Sequence, residues 1–442
     1  MTRFGVQLPS FSGFDPADLF GHVAGLATTA EEAGFDSVWV MDHFFQLPPL
    51  GGPDEPMLEA YTLLGALAAR TRRVQLGTLV TGVTYRNPGI LAKIITTLDV
   101  ISRGRAILGI GGAWYDVEHQ GLGIDYPGDR VRLDMLEEAV QVCRAMFTGD
   151  DVSFSGTYYR LDHARNLPRP VQAGGPKIMI GGGGEKRTLR LVARYADMCN
   201  VTGDVGTLVR KIGVLRRHCA EVGRDPAEVG VTWMTPLILT TSSQNTAEMR
   251  EMLAATGSAE EIAGFTVGQP HEIPGLVAGH IEAGADEVIF SFPFADTPGI
   301  TAVGEAFGLG GQLAARRRRE GSRPFIPSGR DPDMSGCSVK TAERSRNHVS
   351  QRPVVTSGPG DLRQLAPGLR LIALLHLGFR TPEVPPAVRY VAAALGWSGI
   401  LGTGQPAWHV SRACYPSVTG MRPRRPVVLS SASVNRLIHV RS

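Results

Sequence analysis

Residues 105–140 read RAILGIGGAWYDVEHQGLGIDYPGDRVRLDMLEEAV: an apolar run, a break into glycines and an aromatic pair, a polar loop, then a helical pattern. Ala106–Ile110 has the length and β-branched content of a buried strand, and Gly109, Gly111 and Gly112 remove side chains where it ends. Backbone can then approach a flat ring closely. In a parallel α/β fold, ligands sit at the carboxyl ends of the strands, so Trp114 and Tyr115 follow at a position suited to a planar cofactor. The same residues also read as a tight turn with core aromatics.

Outward from this stretch, strand and helix patterns alternate up to about Leu309, as in a closed barrel of parallel strands wrapped by helices. Strands are expected over Arg3–Leu8, Asp36–Met41, Val74–Val80, Arg105–Ile110, Lys177–Ile180, Met198–Val201, Val229–Thr240 and Glu287–Phe292. Helices are expected over Pro16–Ala33, Leu58–Arg70, Gly89–Ile101, Asp129–Phe147 and Glu185–Arg194. Asp151–Gly175, rich in Tyr, Arg, Pro and Gly, interrupts the alternation as a hairpin insertion with a loop. EEAGFDSVWV (Glu31–Val40) and IEAGADEVIF (Ile281–Phe290) repeat one αβ unit. Gly34 and Gly284 fit left-handed helix caps, and Asp36 and Asp286 open the strands that follow.

The second strand runs SVWVMDHF (Ser37–Phe44) and ends in Asp42 and His43, where a barrel carries its reactive groups. An unperturbed imidazole titrates at about pH 6.5, so His43 is the first candidate for proton transfer, with Asp42 fixing its tautomer or touching a cofactor. A polar cap on the strand end is the competing reading. Lys93 and Asp99 lie along a helix and read as structural. Gly181–Gly184 follows the apolar run KIMI and precedes a helix, an arrangement of free amides and close approach that suits phosphate. It is not a P-loop, and GIGGAW fails the dinucleotide fingerprint because Trp114 occupies the third glycine position.

Five segments in order, WVMDHF (Trp39–Phe44), GTLVTGVTYRNP (Gly77–Pro88), KIITTLDVISRGRAILGIGGAW (Lys93–Trp114), Gly181–Gly184 and ADEVIFSFP (Ala285–Pro293), resemble the luciferase-like monooxygenase superfamily. The similarity, over residues 1–310, is to the branch using the deazaflavin coenzyme F-420 (F420). The resemblance implies an α/β fold, a (β/α)8 TIM barrel with an insertion after the fourth helix. It implies an oxidoreductase moving a hydride between F420 and a small organic substrate, with His43 and Asp42 catalytic. Asp42, Thr78, Leu79, Val80, Ile110, Gly111, Gly112 and Trp114 would hold the ring, and Gly181, Gly182, Gly183 and Gly184 the phosphate. Leu79-Val80 matches a strand-three bulge that often holds a cis peptide. Sugar-phosphate dehydrogenases of this family carry a glutamate where this chain has Gly112, so a sugar phosphate is not expected. Asp116 and Glu118, the nearest carboxylates, are left open between substrate binding and loop capping. The alternatives are an FMN-dependent monooxygenase with a separate reductase and oxygen, or a non-catalytic flavin-binding homologue. A homodimer is implied by the resemblance alone.

Composition bounds these readings. The chain has 442 residues, 43% of them hydrophobic, enough for a large core. No run approaches the roughly 20 apolar residues of a membrane span, and MTRFGVQLPS enters a strand directly, so a cytoplasmic location is expected. Five scattered cysteines without paired spacing suggest neither disulfides nor a metal. Of 45 Lys and Arg and 42 Asp and Glu, Arg316–Ser442 holds 20 and 6, so an acidic body precedes a basic end. Residues 311–442 read as an irregular or disordered basic tail. It either binds an acidic partner or, the preferred reading, comes from a shifted frame; nucleic acid is disfavoured as a partner.

Overall fold

A computed structural model describes residues 2–255 and 264–311. Eight parallel strands form a closed ring in chain order: β1 (Arg3–Gln7), β2 (Ser37–Val40), β3 (Gln75–Thr78), β4 (Ala106–Gly111), β5 (Lys177–Gly181), β6 (Met198–Val201), β7 (Gly230–Leu239) and β8 (Glu287–Ser291). β8 returns to β1 with Arg3 opposite Glu287, which closes the barrel. Thr81–Gly82 prolongs β3 and pairs with the end of β4. Among the described residues no helix is long and apolar enough to cross a membrane.

Alternation along the strands separates two cores. Trp39, Ile107, Met179, Met198 and Ile289 fill the barrel interior, with Leu79, Val80 and Met234 packed against them. Val38, Val40, Leu108, Ile110, Ile178, Ile180, Val288 and Phe290 face the other way, into the core shared with the helices. Helix α1 (Pro16–Ala33) shows how the outer layer is punctuated: the Asp15 side chain accepts from the Ala17 amide, and Gly34 at φ 98° stops the helix. The repeated αβ unit has a physical counterpart. The carboxylates of Asp36 and Asp286 accept the Phe4 and Val231 amides of the preceding barrel strands at 3.1 and 2.8 Å, and Asp197 does the same for Ile178 at 2.7 Å. Each aspartate therefore sets the register of its strand at the amino end of the barrel.

Helices α2 (Ala60–Arg70), α3 (Pro88–Ser102), α4 (Asp116–Leu122), α5 (Asp129–Thr148), α6 (Thr188–Tyr195) and α7 (Val205–Glu221) lie between the strands. The insertion is an antiparallel hairpin, Val152–Ser155 with Arg160–Ala164. The loop beyond it is anchored to α3. Buried Asp99 accepts from the Val171 and Gln172 amides at 2.7 and 3.0 Å, and Lys93 donates to the Leu167 carbonyl, which makes both residues structural as read.

Two expectations are corrected. Residues 116–122 are not loop: they form α4, ended by Gly123 at φ 68°, and their polar pattern hid a helix because its buried residues are Glu118 and His119. The helix after the glycine run starts at Thr188 rather than Glu185. The Glu185 carbonyl accepts from His218 on α7 at 2.8 Å and its carboxylate pairs with Arg210 and Lys211, so residues 185–187 make a turn instead. The readings of the tail after residue 311, with Cys337 and Cys414, lie outside the described residues; Cys143, Cys199 and Cys219 are buried free thiols.

Candidate active site

Beyond β2 the chain turns through Asp42 and His43, and both are drawn into networks. Asp42, fully buried, holds Arg86 through two contacts of 2.6 and 3.1 Å. The guanidinium also meets Glu59 at 2.6 Å and lies 4.7 Å from the centre of the Tyr61 ring. Burial pushes the Asp42 carboxyl above its usual range, against the pull of Arg86. Asp42 is thus half of a buried ion pair, which supports the strand end and leaves it little freedom to act as an acid.

His43 is held differently. Its Nδ1 lies 2.8 Å from Oε1 of Glu118, which is fully buried on α4. The same Oε1 accepts from the Tyr85 hydroxyl, while Oε2 accepts the Phe44 and Phe45 amides at 2.7 and 3.3 Å. Burial alone would raise the Glu118 carboxyl. The hydrogen bonds from His43 and Tyr85, the His43 charge and the Phe44 amide outweigh it and hold the group below its ordinary value. An ionised acceptor at Nδ1 keeps the proton there, so Nε2, without a hydrogen-bond partner among the described residues, is the exchangeable nitrogen. His43 remains 8% exposed, and Trp114 stands 60% exposed with its ring 5.7 Å from the imidazole, edge to face.

The strand ends meet around Val80. A Cβ on Gly111 would lie 2.9 Å from Val80 Cγ2, and one on Gly181 would lie 2.8 Å from Val80 Cγ1. A Cβ on Gly109 would lie 1.9 Å from the Thr78 carbonyl oxygen, so β3 and β4 approach only because the residue is glycine. The Leu79–Val80 peptide is cis, and Gln7 from β1 donates to the Leu79 carbonyl at 3.2 Å. Thr81 hydrogen-bonds Thr78 and the Tyr61 hydroxyl, and Arg86, the partner of Asp42, lies over the Tyr61 ring, which ties the end of β2 to the same cluster. Gly182 continues from Gly181 at φ +122°, and the amides of Gly183 and Gly184 have no partner among the described residues. Lys211 donates to the Gly183 carbonyl at 2.5 Å, a cation beside the free amides.

The sequence-derived residues divide accordingly. Asp42, His43, Leu79, Val80, Gly111 and Gly181–Gly184 gather at these strand ends. Thr78 is buried, bonded to the Gly109 carbonyl and to Thr81, and serves as a brace. Ile110 belongs to the helix-facing core, so its side chain is turned away from the cluster. The Gly112 carbonyl is taken by Arg132 at 2.8 Å, and Trp114 forms a rim rather than a floor. Sequence reasoning missed Tyr85, Arg86 and Lys211 and left Glu118 undecided. Tyr85 and Arg86 stand in the TYRNP stretch (Thr84–Pro88), five and six residues past Val80 of the strand-three bulge, which was the available signal.

Residues 2–295 match the luciferase-like monooxygenase family, and the chain belongs to it. It is similar to proteins named F420-dependent glucose-6-phosphate dehydrogenase. That of Amycolatopsis mediterranei (strain U-32) is 37% identical over 197 residues, 44% of this chain and 55% of the relative. That of Kineococcus radiotolerans (strain ATCC BAA-149 / DSM 14245 / SRS30216) is 31% identical over 305 residues, 62% of this chain and 88% of the relative. The first of these alignments spans only about half of the relative's length. Among solved structures, an F420-dependent secondary alcohol dehydrogenase in complex with an F420-acetone adduct shares the fold, with TM-score 0.60, 24% identity, and coverage of 70% of this chain and 99% of that one.

Proposed function

We propose that the protein is an F420-dependent oxidoreductase acting on a small alcohol or its carbonyl counterpart. The observation that carries this reading is the His43–Glu118 pair at the carboxyl end of the barrel, the end where ligands sit in this fold and where Val80 packs against Gly111 and Gly181. Family membership and the names of the relatives support the cofactor. Val80, seated against Gly111 and Gly181 because a Cβ at either glycine would collide with it, would back the ring. Gly183, Gly184 and Lys211 would receive the phosphate through unpartnered amides and a cation. When bound, the deazaflavin supplies the hydride chemistry, and the protein supplies orientation and proton transfer.

In the oxidative direction His43 Nε2 takes the proton from the substrate hydroxyl as the carbinol carbon gives up its hydride. Glu118 then stabilises the imidazolium through Nδ1. Trp114 would offer the substrate an apolar wall at the rim. Gly112 had argued against a sugar phosphate, but Glu118 brings a carboxylate to His43 from six residues further on, so glucose 6-phosphate returns to the candidate substrates. The test is the absorbance of oxidised F420 mixed with the full chain and a panel of small alcohols and glucose 6-phosphate. Turnover with at least one of them is expected, falling about 10²–10⁴-fold in His43→Ala. Turnover unchanged in that variant would remove His43 from the mechanism.

A further inference from the structure

We propose that Tyr85 is a positioning residue for His43, acting through the single carboxylate oxygen that the two side chains share. Glu118 Oε1 accepts from both the Tyr85 hydroxyl and His43 Nδ1, while Oε2 accepts two backbone amides. A carboxylate offers about four acceptor directions, and here all are taken. Glu118 therefore cannot rotate about its terminal bond without breaking a hydrogen bond. The segments that follow β2, β3 and β4, carrying His43, Tyr85 and Glu118, are locked at one point.

Tyr85 is itself braced for this. Its ring meets Phe44 edge-on at 5.2 Å and His119 at 5.0 Å. A Cβ on Gly82 would lie 2.6 Å from its Cε2, so the ring occupies space that only glycine leaves. His119, fully buried, ties the Tyr85 loop to α4: Nε2 is 2.7 Å from the Thr84 hydroxyl and Nδ1 is 2.6 Å from the Tyr115 carbonyl. Burial and the Glu118 hydrogen bond push the Tyr85 hydroxyl far above its ordinary range, so it remains a donor throughout the working pH range. The other ionisable groups that act on Tyr115, Tyr85 or Glu118 are Asp116, Asp42 and Tyr126, with His119 ring to ring against Tyr85. Beside His43, Tyr85 is the only side chain that hydrogen-bonds the carboxylate among the described residues.

Sharing Oε1 between two donors leaves less negative charge available to the imidazolium. Without the tyrosine hydroxyl, Glu118 becomes a stronger partner for protonated His43 and a less fixed one. Protonated His43 then persists to higher pH, and the base is supplied less often in the correct orientation. A tyrosine needed only for packing would produce neither effect in Tyr85→Phe, which keeps the ring.

The proposal rests on the reading of His43 as the base, so its test has two arms. In the first, imidazole resonances of the full chain are followed by NMR against pH without substrate. In the second, kcat, KM and the pH profile of alcohol oxidation are measured. Tyr85→Phe should move the His43 titration and the acid limb of kcat/KM to higher pH, and lower kcat about tenfold with KM little changed. Gly82→Ala, which displaces the ring but keeps the hydroxyl, should move both in the same direction. A His43 titration that stays at its wild-type position in both variants overturns the proposal. A shifted titration in a protein that oxidises no alcohol supports the lock and defeats the functional reading instead.

Discussion

At the carboxyl ends of the strands Glu118 is fully buried, and at the amino ends Glu287 is fully buried too. Glu118 receives His43, Tyr85 and two backbone amides, and its carboxyl is held below the ordinary range despite burial. Glu287 receives the Ser37 hydroxyl on one oxygen, while its other oxygen lies 2.6 Å from Arg3 Nη2 without hydrogen-bond alignment. There burial prevails over Arg3, and the carboxyl is pushed up. Burial is common to both residues; the supply of donors decides which charge is kept. One end of the barrel maintains an anion beside an exchangeable imidazole, and the other uses a carboxyl to join β1, β2 and β8.

The largest test of this contrast exchanges each carboxyl group for an amide. Glu118→Gln removes the anion opposite His43 and should lower kcat by about 10²-fold, near the lower bound for lost acid–base assistance. Glu287→Gln should leave kcat within about twofold, since surroundings this far from the chemistry enter only through packing. Equal losses in steady-state assays of the two variants would break the comparison.

Asp42→Asn tests the buried pair beside the site. It leaves Arg86 with only half-exposed Glu59 as a charged partner and should destabilise the fold by about 3 kcal/mol in denaturant titrations. A loss under about 0.5 kcal/mol, the range of ordinary surface changes, would mean that Glu59 alone suffices.

Stability against pH should separate the two glutamates by sign. Glu118 has a depressed folded pKa, so its contribution is present above its unfolded value and is lost as pH falls through the folded one. Glu287 has a raised folded pKa, so its contribution is present below the unfolded value and is lost as pH rises through the folded one. Thermal melts should show Glu118→Gln flattening the acid side of the profile and Glu287→Gln flattening the rise of pH above the ordinary carboxylate range. The smallest stability effect belongs to Trp114→Ala. Removing this exposed ring should change stability by less than about 0.5 kcal/mol while raising the substrate KM. An unchanged KM would take Trp114 out of the substrate wall.

The barrel was legible because its strands are short apolar runs and its helix ends carry glycine caps. The Asp36 and Asp286 echo even marked the carboxylates that fix strand register. Asp197 performs the same task without a preceding glycine, in the sequence YAD, and so went unread. His43 and Asp42 were legible from their place at a strand end. Glu118 was not, because α4 turns a glutamate and a histidine inward, and a period of apolar residues cannot report a polar buried face. Ile110 was misplaced by one step of strand alternation: adjacency to Gly111 in sequence says nothing about which side of the barrel wall a side chain occupies. The late start of α6 depended on contacts with α7 that no local pattern encodes.

The central claim is that these strand ends form a deazaflavin site. Fluorescence titration of the purified full chain with F420, and separately with FMN, tests it most directly. The account predicts saturable binding of F420, weakened by Gly181→Ala, and no comparable affinity for FMN. Tight FMN binding with no affinity for F420 would contradict it.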